Sequence, residues 1–412
     1  MIADKKFFFF LISISFLSFI FGYYLQENSA GGGPGDYNHI ANNYNLIFSY
    51  NFSEINWDKY ESSRFPLHYF ITKIYLPLDL SIIKLNNFIL SLFIPIILIF
   101  SFKKKLNYIN NFNYLFLIFI IFLIYLSPYF RTSAYWMLEE NFGIFFLVTS
   151  SYFLFSALYS PEKKILKIIL NLIFIYLAFF CSQNLFVFVI INFTILINYF
   201  WKNFFYIFFI CLLNSILLFL PIFLFYDSFT NVFNNISSVR VDFNINNIVD
   251  FFSILLIYLL PVSIICFNKN DFINFYKKYY KAIIIFFGLY LFFFWSYESV
   301  ALGGGAIKKL LLYIFNKSFV YKFFFIFSSF IGLILSIQII KDKEPKLTFF
   351  LIPYLCFILF SNFVFQEYLD PIFLIYIILF TNLLDSMREK QIYFLYFYFF
   401  LFLVSANIYY LI

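Results

Sequence analysis

The sequence is poor in the residues from which soluble metal sites and redox sites are built. It holds two histidines, His39 and His68, and four cysteines, Cys181, Cys211, Cys266 and Cys356, each isolated in an apolar run. No CxxC pair or Cys/His cluster occurs, so neither a zinc site nor a disulfide framework can be read from it. Two histidines also exclude a multi-histidine metal centre. Charge is equally sparse. Charged residues make up 12% of the chain, against about 25% in soluble domains. By length the 412 residues would accommodate two or three soluble domains, but so few charges exclude that class.

Hydrophobic residues fill the space, at 63% of the chain, with 72 phenylalanines among them. A membrane span needs about 20 apolar residues, and cytoplasmic loops collect Lys and Arg. These two rules predict an all-α, polytopic bundle of about 11–13 transmembrane helices, forming a single transmembrane domain over residues 1–412. The predicted spans are 7–25, 87–102, 112–128, 141–160, 165–182, 184–200, 203–226, 248–267, 282–299, 319–340, 347–365, 370–384 and 392–411. The first follows Lys5-Lys6 and is longer than the usual core of a cleaved signal peptide, about 7–15 residues. The segment after it, Glu27-Asn28-Ser29-Ala30, is a poor cleavage site, so a retained span is expected.

With the N-terminus inside, most basic residues fall in predicted cytoplasmic segments, among them Lys103 to Lys105, Lys163, Lys164, Lys277 and Lys278, and most acidic residues fall outside. The net charge of +7 therefore reflects topology and gives no reason to expect a nucleic-acid partner. The long outer loop is 26–86, directly after the first span; shorter ones follow at 127–140, 227–247, 300–318 and 366–370.

In the first loop, Gly31-Gly32-Gly33-Pro34-Gly35 forbids regular structure, and Asp36 stands where a helix N-cap is favoured. Asp36, His39, Ile40, Asn43, Tyr44 and Ile47 then recur at helical spacing. This predicts a juxtamembrane helix whose apolar side lies in the lipid interface. Asp36 is either a helix cap or a general base held at the membrane surface; His39, one turn on, would orient it, bind substrate or serve structure alone. In the second outer loop, Arg131, Tyr135 and Glu139 share i, i+4 spacing and Glu140 follows. An Arg131–Glu139 pair explains this, as does a site where arginine neutralises a phosphate and a glutamate binds a hydroxyl. A third loop carries Gly303-Gly304-Gly305 followed by Lys308 and Lys309, an arrangement suited to a phosphate but without P-loop spacing. Glu367 and Tyr368 close the outer end of the eleventh predicted span.

This order of features resembles the GT-C superfamily of membrane glycosyltransferases, which use polyprenyl-phosphate sugars. Asp36 corresponds to the acid that the family carries just after its first span. Arg64-Phe65-Pro66-Leu67-His68-Tyr69 resembles its R-x-P-L-x-Y stretch, and Glu139-Glu140 its acidic pair in the second outer loop. The Asp36-x-x-His39-Ile40 spacing is also similar to that of dolichyl-phosphate-glucose α-1,2-glucosyltransferases. Two departures stand out: Tyr37 follows Asp36 where many members have Glu, and Glu367-Tyr368 lacks the arginine of the family's late Arg-Tyr element. The matches cover about 27–140.

The resemblance implies a glycosyltransferase moving a sugar from a polyprenyl-phosphate donor to a hydroxyl of a glycan, lipid or protein acceptor. It implies Asp36 as the base and places His39, Arg64, Arg131, Glu139, Glu140, Lys308, Lys309, Glu367 and Tyr368 in substrate binding. Arg131, Lys308 or Lys309 would take the phosphate. No metal ligand is assigned, although Glu139 or Glu140 leaves room for a divalent cation such as Mg or Mn. Membrane lipids are the other expected partner, and a bacterial inner membrane with a periplasmic site the expected setting. The rivals are an O-antigen ligase or polymerase, which carries its large outer loop late in the chain, and a transporter or flippase of lipid-linked saccharides. Transporters place ionisable groups mid-bilayer and often repeat their halves; here the acids crowd the outer ends.

Overall fold

The computed structural model describes residues 2–51, 54–60, 62, 64–106, 118, 120–160, 162–224, 243–297, 303–383 and 389–411. Among these the chain is helical, without a strand. It divides into two compact units, residues 1–238 with 402–412, and residues 239–401.

The first unit opens with α1 (Ile2–Tyr24), α2 (Gly33–Ser49), α3 (Leu67–Tyr75) and α4 (Leu80–Leu106). There follow α5 (Pro128–Tyr135), α6 (Glu139–Tyr159), α7 (Lys164–Cys181), α8 (Phe186–Phe200) and α9 (Phe204–Leu224). α6 packs against α4 and α7. Small polar residues join these apolar helices. Asn171 donates through Nδ2 to the Ser150 carbonyl (3.0 Å) and hydroxyl (2.8 Å), Asn192 to the same hydroxyl at 3.1 Å, and Ser101 to the Val148 carbonyl at 3.0 Å. Such bonds replace a hydrophobic driving force that lipid surroundings do not supply.

The second unit contains α10 (Asn247–Cys266), α11 (Lys269–Phe293), α12 (Gly305–Phe315), α13 (Phe319–Asp342), α14 (Thr348–Leu359) and α15 (Ile372–Phe380). α16 (Glu389–Leu411) follows, and its residues from Phe402 onward belong to the first unit. α10 packs against α12, α13 and α14.

Nine helices among the described residues are long and apolar enough to cross a membrane: α1, α4, α6, α7, the segment Gln183–Phe200 containing α8, α9, α10, α13 and α16. The chain is thus an all-α, multi-pass membrane protein. Four expected spans take other forms. Span 282–299 is the apolar half of α11, whose first half carries Lys269, Asp271, Lys277, Lys278 and Lys281. Spans 347–365 and 370–384 become α14 and α15, twelve and nine residues long, the second buried throughout. Much of span 112–128 lies outside the described residues; its end forms a short 3-10 turn, Leu123–Leu126. The expected outer loop at 227–247 lies outside them too, up to residue 242.

Segment 26–86 contains α2, a 3-10 turn at Trp57–Lys59, α3 and the beginning of α4. α2 starts earlier than predicted: Gly32, at φ 79°, is the residue before its first turn, Pro34 follows within that turn, and Asp36 caps nothing with its side chain. The predicted apolar stripe is present, with Ile40, Tyr44 and Ile47 buried. Those residues pack on protein rather than lipid, against Trp57, Tyr60, Tyr69, Ile83, Met137 and Leu138.

Candidate functional site

Three charged residues from separate stretches pair in the first unit, and a fourth, Asp36, lies within electrostatic range of them. Asp36 lies in the first turn of α2, Arg64 in the bend before α3, and Glu139 and Glu140 head α6. Carboxylates are favoured at a helix N-terminus by the exposed N–H groups there. The start of α6 is set by α5, which Ser127 caps by accepting from the Phe130 N–H (3.1 Å) and which Pro128 begins.

Arg64 bridges the two glutamates. Its Nη1 forms an ion pair with Oε1 of Glu140 and lies 3.6 Å from Oε1 of Glu139. The backbone beneath it is fixed, since the Arg64 N–H donates to the Ser62 hydroxyl (3.0 Å) and Tyr60 donates to the Arg64 carbonyl (2.8 Å). Glu140 leaves its buried Oε2 without a hydrogen-bond partner. Asp36 keeps exposed surface of its own, yet it is surrounded closely enough that loss of hydration raises its carboxyl above the usual range. Glu140 raises it further, Arg64 pulls it back, and Glu139 and His39 act weakly in opposite senses. The arrangement is one carboxylate of raised basicity within electrostatic range of an acidic pair that a single guanidinium holds.

His39 is exposed on α2. His68 was not singled out in the sequence beyond its place in the Arg64–Tyr69 stretch, yet it lies behind the cluster on α3. It is buried against Tyr69 with ring centroids 3.7 Å apart, with Tyr44 and Phe142 nearby, and neither ring nitrogen has a hydrogen-bond partner. Burial and the Arg64 charge push its pKa down to about 3.

Arg131 stands elsewhere than the i, i+4 spacing predicted. α5 ends at Tyr135 and a turn through Met137 (φ 60°) starts a new helix, so Glu139 does not follow Arg131 along one face. The partner is Glu27 instead. Nε of Arg131 donates to Oε1 and Oε2 of Glu27 (2.8 and 3.0 Å), and Nη2 pairs with Oε2. Nη1 donates to the Ser18 hydroxyl (3.2 Å) and the Tyr125 carbonyl (3.0 Å), and Nη2 to the Ser18 carbonyl (2.8 Å). A guanidinium has five N–H donors, and these contacts occupy them all, so none is left for a phosphate. Asn407 on α16 completes the clasp by donating to Oε1 of Glu27 at 3.1 Å. Gly22 lies against it: a Cβ there would stand 2.6 Å from Arg131 Nη2, Glu27 Oε2 and Tyr135 Oη.

Lys308, Lys309, Glu367 and Tyr368 belong to the second unit. Lys308 is buried with its Nζ 3.7 Å from Oδ1 of Asp250, which also accepts from the Tyr297 hydroxyl at 2.9 Å. Donors of the glycine turn are engaged internally: the Gly304 N–H bonds the Val364 carbonyl (2.8 Å) and the Ala306 N–H bonds Oε1 of Gln366 (2.8 Å). Lys309 and Glu367 are half-buried, and Tyr368 is buried with its carbonyl accepting from the Tyr354 hydroxyl.

No group of three or more His, Cys, Asp or Glu side chains is gathered for a metal ion among the described residues. Arg64 already stands between Glu139 and Glu140, so a divalent cation does not fit there without displacing the guanidinium. Compared with protein-family models, with curated proteins and with solved structures, the chain matches none.

Proposed function

We propose that the protein is a glycosyltransferase that takes a sugar from a polyprenyl-phosphate donor and passes it to an acceptor hydroxyl. The observation that carries this reading is that Arg64 pairs with Glu139 and Glu140 within electrostatic range of Asp36, so that the three sequence elements on which the resemblance to the GT-C superfamily rests act on one another. Shared position in a membrane bundle without shared chemistry would not require them to converge.

In the proposed reaction the acceptor oxygen attacks C1 of the donor sugar, its proton passes to an Asp36 carboxylate oxygen, and the C1–O bond to the phosphate breaks with its electron pair leaving on phosphate. A base whose affinity for protons is raised above the carboxylate norm suits that transfer. The unbonded Oε2 of Glu140 is an acceptor for a substrate hydroxyl, and Arg64 keeps the acidic pair in register. Membrane lipids and a glycan, lipid or protein acceptor complete the set of partners, in a bacterial inner membrane with Asp36 on the periplasmic side. No step is routed through a metal ion.

The test is transfer of labelled sugar from a panel of polyprenyl-phosphate donors by purified protein, wild type beside Asp36→Asn. Turnover by wild type and its loss in the variant supports the reading. Absence of donor consumption by wild type across the panel removes it in favour of a non-enzymatic role in moving lipid-linked saccharides.

A further inference from the structure

Departure of a lipid phosphate calls for a cation that is not already neutralised, because a fixed charge stabilises developing negative charge in proportion to what remains of it. The cations of segment 26–86, together with Arg131, can be sorted by their partners. Arg131 is held by Glu27 on one side and by Ser18 and Tyr125 on the others. Arg64 lies between Glu139 and Glu140. Lys73 donates to the Ile47 and Tyr50 carbonyls, 2.7 Å from each, and so serves the end of α2. Lys59 is exposed on its 3-10 turn.

Lys84 differs from all of these. It sits in the second turn of α4, at the end of a membrane-crossing helix, and has no carboxylate partner among the described residues. Its ammonium instead faces two aromatic rings, 4.6 Å from the centroid of Trp136 and 5.6 Å from that of Tyr37. The rings form a corner, 6.0 Å apart and inclined at 76°. That corner is built to hold its shape. The Trp136 indole N–H donates to the Glu27 carbonyl at 3.0 Å, and its ring lies so close to Gly33 that a Cβ there would stand 2.6 Å from Cδ1. The π faces orient the ammonium without cancelling its charge, so the cation is positioned yet retains its full attraction for an anion.

The corner also borders the proposed site. Tyr37 directly follows Asp36 on α2, and neighbouring residues on a helix diverge by about 100°. The base and the Lys84 corner therefore flank different sides of one turn. Such a separation suits an inverting displacement, in which the attacking oxygen and the leaving phosphate stand on opposite sides of the reacting carbon.

We infer that Lys84, held against Trp136 and Tyr37, binds the phosphate of a lipid phosphate ester at the membrane surface. Placing that phosphate as the leaving group of the donor rests on the glycosyltransferase reading; the binding itself does not.

The experiment uses the full chain in lipid nanodiscs of phosphatidylcholine, and measures binding of a short prenyl monophosphate beside the matching prenyl alcohol. Wild type should prefer the phosphate by about tenfold or more. Lys84→Gln should abolish that preference while alcohol binding stays as it was, and Lys84→Arg should retain most of it, which separates lost charge from lost fold. Equal phosphate binding by wild type and Lys84→Gln overturns the inference and leaves Lys84 as a lysine that merely reaches the interface. Phosphatidylglycerol added to the nanodisc distinguishes the source. Weak competition supports a dedicated single-chain phosphate; competition as strong as that of prenyl phosphate makes the ligand an ordinary headgroup and overturns the donor placement. The two readings fail separately: sugar transfer unaffected by Lys84→Gln overturns the donor placement alone, and Lys84-dependent phosphate binding without any transfer sinks the glycosyltransferase reading alone.

Discussion

Arg64 holds Glu140 by one carboxylate oxygen and leaves the other, Oε2, buried and unbonded. The negative charge of Glu140 therefore still acts on Asp36, where it is the largest influence after burial. The proton affinity of the proposed base is adjustable through its neighbours. The acidic limb of the transfer rate should lie above the normal carboxylate range. Glu140→Gln should move it to lower pH, and Arg64→Gln to higher pH, with rate measured against pH for all three proteins. Asp36→Asn should lower the plateau by about 100- to 10,000-fold, the usual contribution of a general base. A limb that stays in place in Glu140→Gln would detach Asp36 from the titration.

Arg131 is buried and every one of its N–H donors is bonded, with Glu27 as its one carboxylate partner among the described residues, so removing one member of the pair leaves the other without compensation. Arg131→Gln should cost about 3–5 kcal/mol of stability, read as a fall in thermal midpoint in detergent. Gly22→Ala should act in the same direction, since the added methyl meets three atoms of the clasp at 2.6 Å. An unchanged midpoint for both variants would mean that the clasp does not support the fold.

Asp250 and Lys308 form the corresponding pair in the second unit, with Tyr297 as the third member. Lys308→Met alone should destabilise by about 3–5 kcal/mol, and the double substitution with Asp250→Asn should recover most of the loss, as is common when a buried pair is replaced together. A double-mutant cycle measures this; additive losses would show that the two residues act independently.

His68 makes a pH-dependent contribution. Its folded pKa, about 3, is below the ordinary value of 6.5, so the unfolded chain binds a proton that the folded chain refuses between those limits. Stability should fall as pH drops from about 6.5 towards about 3 and be unaffected above that window. His68→Phe should remove this loss and be neutral or stabilising at neutral pH, because neither ring nitrogen forfeits a bond. Thermal midpoints at several pH values provide the check.

Much of this architecture was readable from apolar run length. The run at 370–384 reads like a span because the interior of a helical protein and the interior of a bilayer select the same residues, and length alone separates them. α15 is nine residues long and buried throughout, whereas α14, twelve residues long, buries Phe350, Leu351, Tyr354 and Ile358 and leaves Phe349 and Ile352 exposed. Within the site, Asp36 and the Glu139–Glu140 pair were legible because each is an acid beside the end of an apolar run. The partner of Arg131 could not: Glu27 lies 104 residues away, and local spacing offered Glu139 in its place. The corner around Lys84 was equally hidden, since nothing in the order of residues relates α4 to Tyr37 and Trp136.

The hydrogen bond from Asn407 to Glu27 has a consequence for biogenesis. Arg131 and Glu27 can meet as soon as α5 has been made, whereas Asn407 leaves the ribosome on the order of 10–60 s later at common rates of synthesis. A nascent chain thus carries its guanidinium neutralised long before the last helix arrives, and the membrane need not shelter a bare charge in the interval. The final turns of α16 then lock a joint that is already closed, and a chain stopped before them should retain the joint while losing its latch.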